Sequence, residues 1–291
     1  MINQLRRSAA AIILMLTVLF INSARGQNKP LENSLLWEIS GNGLEKPSYI
    51  YGTIHMICAT DFYMPEKVSR AFDKTSQLII EANIFDTSAI ANIQKEMLSD
   101  VPLSKKLAPQ DYATVDSILQ LKCGMSLKSL DNFKLTMVVS LLTYKAFSCT
   151  PVKSYETEFM KMAKDKNIRV DALETVLEQL KLLNEAYTDE MVISEVKSFD
   201  SSKIAMKEMV AFYKSEDLNG LYKNITKAEL MDSNMMHWLL EVRNNNWVMK
   251  IPGMMKKESS FFAVGAAHLV GAGGILQLLK AKGYKVKPVM N

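Results

Sequence analysis

The chain has 291 residues, 48% of them hydrophobic and 23% charged, with a formal net charge of +4 that includes Arg6 and Arg7. These proportions belong to a globular protein rather than a disordered or low-complexity one. The near-neutral balance beyond the N-terminus and the lack of a dense basic stripe argue against nucleic acid as a partner.

Arg6 and Arg7 precede an almost unbroken apolar run from Ala9 to Ile21, followed by Asn22-Ser23-Ala24-Arg25-Gly26-Gln27. A positive start, a run of roughly 13 apolar residues and small residues at Ala24 and Gly26 predict a signal peptide over 1–26, cut between Gly26 and Gln27. A retained anchor is the alternative, but the run is short of the roughly 20 residues that span a bilayer. The longest later apolar stretch, near Met137 to Leu142, is shorter still, so no stable transmembrane segment is expected after cleavage. The expectation is an exported protein, periplasmic or secreted, with one domain over 27–291.

Leu35 to Ser40 and Ser48 to Tyr51 read as two strands joined through Gly41-Asn42-Gly43, as in a hairpin. Pro65 to Lys74 reads as a helix and Gln77 to Ala82 as a buried strand. Ser88 to Lys166 is mostly helical by apolar spacing, punctuated by Pro102, Pro109 and Pro151. Ile168 to Leu173 is a strand, Glu174 to Leu183 a helix, and Asp189 to Met249 is helical again. Phe261 to Val264, Gly271 to Lys282 and Tyr284 to Val289 close the chain as strand, helix and strand, a unit compatible with a right-handed parallel crossover. The expected fold is α/β (α+β), a central mixed sheet with a large helical insertion.

The three cysteines are Cys58, Cys123 and Cys149, and none forms a C-x-x-C. An oxidising compartment permits a disulfide. Cys123 and Cys149 flank a helix predicted over Asn132 to Phe147, so they are expected to pair, leaving Cys58 free.

Two of the three histidines share a frame. Tyr49-Ile50-Tyr51-Gly52-Thr53-Ile54-His55 and Phe261-Phe262-Ala263-Val264-Gly265-Ala266-Ala267-His268 are each an apolar strand followed by Gly-x-x-His. Glycine permits a sharp turn or close approach where the strand ends, and ligands of open α/β sheets bind at the C-terminal strand ends. Glu81 lies near the end of one predicted strand and Glu174 just after another. If the four strands share a sheet, two imidazoles and two carboxylates meet at one edge. Such a set suits a divalent metal or metal-free acid–base work; equally, Glu81 suits an ion pair and Glu174 a helix's first turn. His237 and Glu241, four apart, read as a solvated pair on a helix face that also carries Arg243. No H-E-x-x-H, P-loop, G-x-S-x-G or G-x-G-x-x-G is present.

The segments LWEISGNGLEKPSYIYGTIHM, LIIEAN, DALETVLEQL, RNNNW and FFAVGAAHLVGAGGILQLLKAKGYKV resemble the TraB/GumN family, related to the Tiki proteases of animals. They are spread over residues 35 to 289. The resemblance implies an α/β fold, export in many bacterial members and a metal-dependent peptidase site. It carries His55, Glu81, Glu174, Arg243, Asn244 and His268 over as site residues. One departure stands out. Many relatives have a proline and an acidic residue soon after the second histidine, where this chain reads Leu269-Val270-Gly271-Ala272-Gly273, so an auxiliary acidic contact is expected to be missing.

The reading that follows is an exported, divalent-metal-dependent (Mn or Zn) peptidase acting on a peptide or protein. His55, Glu81 and His268 are the expected metal ligands and Glu174 the general base on a metal-bound water. Arg243 and Asn244 are expected to stabilise an oxyanion or hold a carboxylate. A metal-free hydrolase with a histidine base and a non-catalytic peptide-binding or sequestering protein are the alternatives.

Overall fold

A computed structural model describes residues 31–83, 90–147 and 149–290. The expected signal peptide lies outside the described residues. Alternating and fully apolar runs of six residues or fewer become strands here, while longer stretches with helical spacing become helices.

In chain order the elements begin with β1 (Leu36–Ser40), β2 (Ser48–Thr53), the two-residue β3 (Ile57–Cys58), α1 (Glu66–Phe72) and β4 (Gln77–Ala82). A helical stretch follows, with α2 (Ile90–Met97), α3 (Leu103–Lys106), α4 (Pro109–Cys123), a 3-10 turn (Leu127–Leu130) and α5 (Thr136–Ala146). Then come β5 (Val152–Lys153), α6 (Tyr155–Asp165), β6 (Arg169–Glu174), α7 (Val176–Ala186), α8 (Asp189–Lys197), α9 (Phe199–Lys214) and α10 (Leu218–Ile225). A short turn (Ser233–Met235) leads into a π-helical turn (Met236–Glu241), which runs directly into α11 (Val242–Lys257). β7 (Ser260–Gly265), a 3-10 turn (Ala266–Leu269), α12 (Ile275–Ala281) and β8 (Lys285–Pro288) complete the chain.

The six-stranded sheet has the order β6-β4-β7-β2-β1-β8. β6, β4, β7 and β2 run parallel, and β1 is antiparallel to both β2 and β8. β2 and β7 are buried along their whole length, as continuous apolar strands of a parallel sheet covered on both faces must be. The connection between β1 and β2 holds Gly41, Asn42 and Gly43 at positive φ (77°, 48° and 80°). Two glycines and an asparagine are the residues that tolerate that region.

Two cores result. One lies on the sheet, where Phe261 of β7 packs 5.0 Å from the Phe159 ring and 5.3 Å from that of Phe72. The other is purely helical, formed by Val115, Leu119, Val138, Leu142, Val192, Val196 and Phe199 among others. The helices between β4 and β6 therefore share an apolar interior with α8 and the start of α9, which follow β6.

The cysteine pairing differs from expectation. Cys58 bonds Cys149, with Cα atoms 5.8 Å apart across 91 residues, and Cys123 is free. Cys123 is the last residue of α4 and stays with the helical core, whereas β3 and β5 pair as a short antiparallel ribbon (Ile57↔Lys153, Cys58↔Val152) that brings the other two thiols together. Helix α5 also starts four residues later than the expected Asn132, at Thr136, because the stretch after the 3-10 turn enters an isolated bridge, Leu98↔Phe133.

Candidate functional site

β2, β7, β4 and β6 are parallel, so their C-terminal ends lie on one edge of the sheet. That edge gathers His55, two residues past β2; His268, three past β7; Glu81, next to last in β4; and Glu174, the last residue of β6. Glu174 is a strand residue rather than the first acid of the following helix, whose N-cap is Thr175 in a capping box with Glu178. Arg243 and Asn244 come from the opposite direction, on the first turn of α11. The π-helical turn before them adds backbone to the helix and separates two faces. His237 and Glu241 point to solvent, 3.3 Å apart, while Arg243, Asn244 and Trp247 are buried against the strand ends.

Arg243 is the hub. Its Nη2 donates to Glu81 Oε2 (2.6 Å) and Glu174 Oε1 (2.7 Å), its Nε donates to Glu174 Oε1 (3.0 Å), and its Nη1 donates to His268 Nε2 (3.1 Å). Trp247 lies under the guanidinium at 4.6 Å and donates from Nε1 to Glu174 Oε2 (3.0 Å). Burial pushes Glu174 upward, and the Arg243 charge only partly opposes this, so its pKa stays above the ordinary carboxylate value. Glu81 behaves oppositely. Burial is outweighed by Arg243, by the two imidazoles and by the Gly265 N–H donating to Oε1 (2.6 Å), which together hold it well below the usual range.

The two histidines are held differently. His268 is buried, with its ring 4.4 Å from that of Trp247, and its Nδ1 donates to Asn244 Oδ1 (2.7 Å), since Arg243 must be the donor at Nε2. Burial and the Arg243 charge keep it neutral, with its pKa lowered to about 3. The His55 side chain is 60% exposed. Its Nδ1 donates to Glu156 Oε1 (3.0 Å), and its Nε2 lies 4.0 Å from Glu81 Oε1. Crowding by protein works against a proton on this ring, but exposure weakens that effect. The Glu81 charge and the Glu156 hydrogen bond prevail and raise the pKa to about 9.

Each glycine of the paired motif makes room for the other motif. A Cβ on Gly52 would stand 3.0 Å from Ala266 Cα and from Leu269, in the turn that carries His268. A Cβ on Gly265 would stand 3.2 Å from His55 Nε2 and from Glu81 Oε1. Close approach across the β2–β7 pair is thus what both positions require.

The donor set has the composition of a zinc or manganese site, two imidazoles and a carboxylate. His55 Nε2 and His268 Nε2 lie 4.0 and 3.7 Å from Glu81 Oε1, against about 3.3 Å for two donors sharing a tetrahedral ion at ~2.0 Å. The residues match such an ion in type, and both separations are longer than a bound ion would set. Among the described residues no three His, Cys, Asp or Glu side chains are grouped closely enough to hold a metal ion. The reason is visible at His268, whose Nε2 is taken by Arg243.

All six residues expected from the sequence meet at this edge. Asn244 spends its Nδ2 on Gly273 O (2.8 Å) and its Oδ1 on His268, and so fastens that ring. Glu156, Thr53 and Gln179 were not expected. Gln179 donates to Glu81 Oε2 (3.3 Å), and Thr53 to Glu156 Oε1 (2.6 Å). No spacing signal links Glu156 to His55, 101 residues away. Trp247 was visible only as the last letter of RNNNW.

The TraB/PrgY/gumN family profile matches residues 35–288. Two curated relatives are zebrafish (Danio rerio) proteins. Metalloprotease TIKI2 is 22% identical over 91% of this chain and 63% of its own length, and Metalloprotease TIKI1 is 21% identical over 88% and 63%. The chain thus spans less than two thirds of either relative. No solved structure matches it.

Proposed function

Because this chain belongs to the TraB/PrgY/gumN family, we propose that it is an exported, divalent-metal-dependent peptidase whose substrate is a peptide or protein. The observation that carries this reading is the convergence, at the ends of four parallel strands, of His55, Glu81, Glu174 and His268 around one buried arginine. His55, Glu81 and His268 are the residues that would hold the ion, Mn or Zn. A bound ion of this kind lowers the pKa of a water to near neutrality and polarises a carbonyl. Asn244 accepts a hydrogen bond from His268 Nδ1–H and so leaves the ring's lone pair on Nε2. Glu174, with its pKa raised by burial, accepts a proton from the attacking water at a carboxylate oxygen. Arg243 neutralises Glu81 and Glu174 and supplies donors to a developing oxyanion once its Nη1 leaves His268.

One observation favours a second reading, a metal-free hydrolase. Of the two histidines at the strand ends only His55 is exposed, with a carboxylate behind Nδ1, which is how a histidine general base is oriented. Elemental analysis of protein purified without chelator, with peptide turnover in the presence and absence of EDTA, separates the two. Stoichiometric metal and EDTA-sensitive turnover support the first; turnover that survives EDTA in metal-free protein supports the second. Binding of peptides without cleavage under either condition would leave a sequestering protein and overturn both.

Export is supported by the Cys58–Cys149 bond, which belongs in an oxidising compartment. Among the described residues no helix is long and apolar enough to cross a membrane. A mature N-terminus at Gln27, read by intact mass, is the test; a mass that includes Met1 to Gly26 would refute cleavage.

A further inference from the structure

We propose that Glu156 is a positioning residue for His55, fixing the ring with Nδ1–H on Glu156 and Nε2 toward Glu81, so that the neutral ring carries its lone pair on Nε2. The proposal deepens the preceding one in that it takes His55 as a working histidine of the site. Glu156 stands in the first turn of α6, where an acid is favoured by the helix dipole alone. Its contacts exceed that role. Oε2 accepts from Ser154 Oγ (2.8 Å), and Oε1 accepts from Thr53 Oγ1 (2.6 Å) and from His55 Nδ1 (3.0 Å). Both carboxylate oxygens are therefore held, and the side chain is only 20% exposed. Ser154 and Thr53 are the donors that keep the carboxylate from rotating, so the imidazole meets a fixed acceptor.

The chain path supports the same assignment. Glu156 reaches β2 only because the β3–β5 ribbon, the Ala59 N–H to Pro151 carbonyl bond (3.0 Å) and the Cys58–Cys149 bond bind the segment before α6 to the segment after His55. A carboxylate or carbonyl behind the non-working nitrogen is the usual means by which a metal-binding or general-base histidine is given one tautomer.

The test uses Glu156→Ala and Glu156→Gln in the full chain. Long-range proton–nitrogen spectra of metal-free protein, at a pH well above 9 where the His55 ring is mostly neutral, report which nitrogen carries its proton. Wild type is expected to show Nδ1–H; Glu156→Ala is expected to move the population toward Nε2–H, and Glu156→Gln, which keeps an acceptor oxygen, to retain Nδ1–H. Zn2+ titrated alone should bind roughly 10–100-fold more weakly to Glu156→Ala, and kcat should fall with little change in KM. A wild-type ring protonated on Nε2, or an Ala variant that melts earlier while its tautomer stays unchanged, overturns the proposal and leaves Glu156 a helix-start acid. Wild-type protein that binds no Zn2+ yet shows the tautomer switch would refute the metal reading while the positioning role stands.

Discussion

The two Gly-x-x-His motifs are the same four-residue pattern at the ends of neighbouring parallel strands, yet their histidines are chemically opposite. His55 is exposed, backed by a carboxylate, and holds its proton up to about 9; His268 is buried under Trp247, backed by an amide, and stays neutral down to about 3. The register explains part of the difference. Thr53 pairs with Gly265, so the second motif begins one residue farther along the sheet and turns through a 3-10 segment beneath α11, while the first ends in the open. A local pattern places an imidazole; the charges brought from elsewhere in the chain decide its protonation.

The strongest way to break this comparison is to remove each ring. Under the proposed function, His55→Ala and His268→Ala should each lower turnover by roughly 10²–10⁴-fold. The double variant should cost little more, because residues acting as a unit are non-additive. Stability should separate them. His268→Ala strands an Arg243 donor and the Asn244 amide and should cost about 2–3 kcal/mol, while His55→Ala should stay within about 1 kcal/mol of wild type. Turnover assays with urea unfolding check both; equal stability losses would erase the distinction.

Reduction should touch one motif only. The Cys58–Cys149 bond closes a long loop and contributes on the order of 4–5 kcal/mol by chain entropy. Cys58→Ser with Cys149→Ser should therefore lower the melting temperature markedly and, by freeing the segment before Glu156, disturb the His55 ring resonances before those of His268. Simultaneous loss of both sets would mean that the bond supports the whole edge.

The glycines offer a crossed test. Gly52→Ala meets backbone at 3.0 Å and should destabilise by about 1–3 kcal/mol, with the disturbance centred on the His268 turn. Gly265→Ala meets the His55 ring and Glu81 at 3.2 Å and should reduce activity more than stability. Heteronuclear spectra of the two variants would show whether each glycine serves the opposite motif.

The two rings should also separate in the pH dependence of stability. The raised pKa of His55 means its stabilisation is complete below the ordinary value near 6.5 and is lost as pH climbs toward 9. The lowered pKa of His268 means its stabilisation is complete above ~6.5 and is lost as pH falls toward 3. In EDTA, His55→Ala should flatten the alkaline limb alone and His268→Ala the acid limb alone. A common change in both limbs would show that the rings titrate as one group.

Much of this was legible in the sequence because it rests on short-range pattern. The strands bearing Tyr51, Ile80 and Ala263 announce themselves as apolar runs, and Gly52 and Gly265 mark where they end. What was not legible depends on long-range placement. The cysteines offered three pairings, and proximity to the Asn132–Phe147 helix suggested Cys123 with Cys149. The ribbon that selects Cys58 is two residues per strand, too short to carry a pattern. Glu156 resembles any first-turn acid until Thr53 and His55 stand beside it. The arginine hub was hidden for a similar reason, since nothing in the spacing of Arg243 shows that it will meet carboxylates from two strands.

The π-helical turn at Met236–Glu241 has a consequence for how the length of this chain can vary. Met235 is buried just before it and Leu240 within it, and Arg243, Asn244 and Trp247 are buried just after it. Both sets find their partners only because the turn inserts extra backbone between them. Deleting one residue would let an uninterrupted α-helix form, with better hydrogen bonds, but would turn one set by about 100° relative to the other. The helix would gain regularity while either the guanidinium lost its aim at Glu81 and Glu174 or the upstream apolar residues left their seats. A single-residue gap at this place in a related chain therefore marks a re-cut site or a re-seated helix, whereas a gap of the same size in the exposed connections of the helical insertion marks neither.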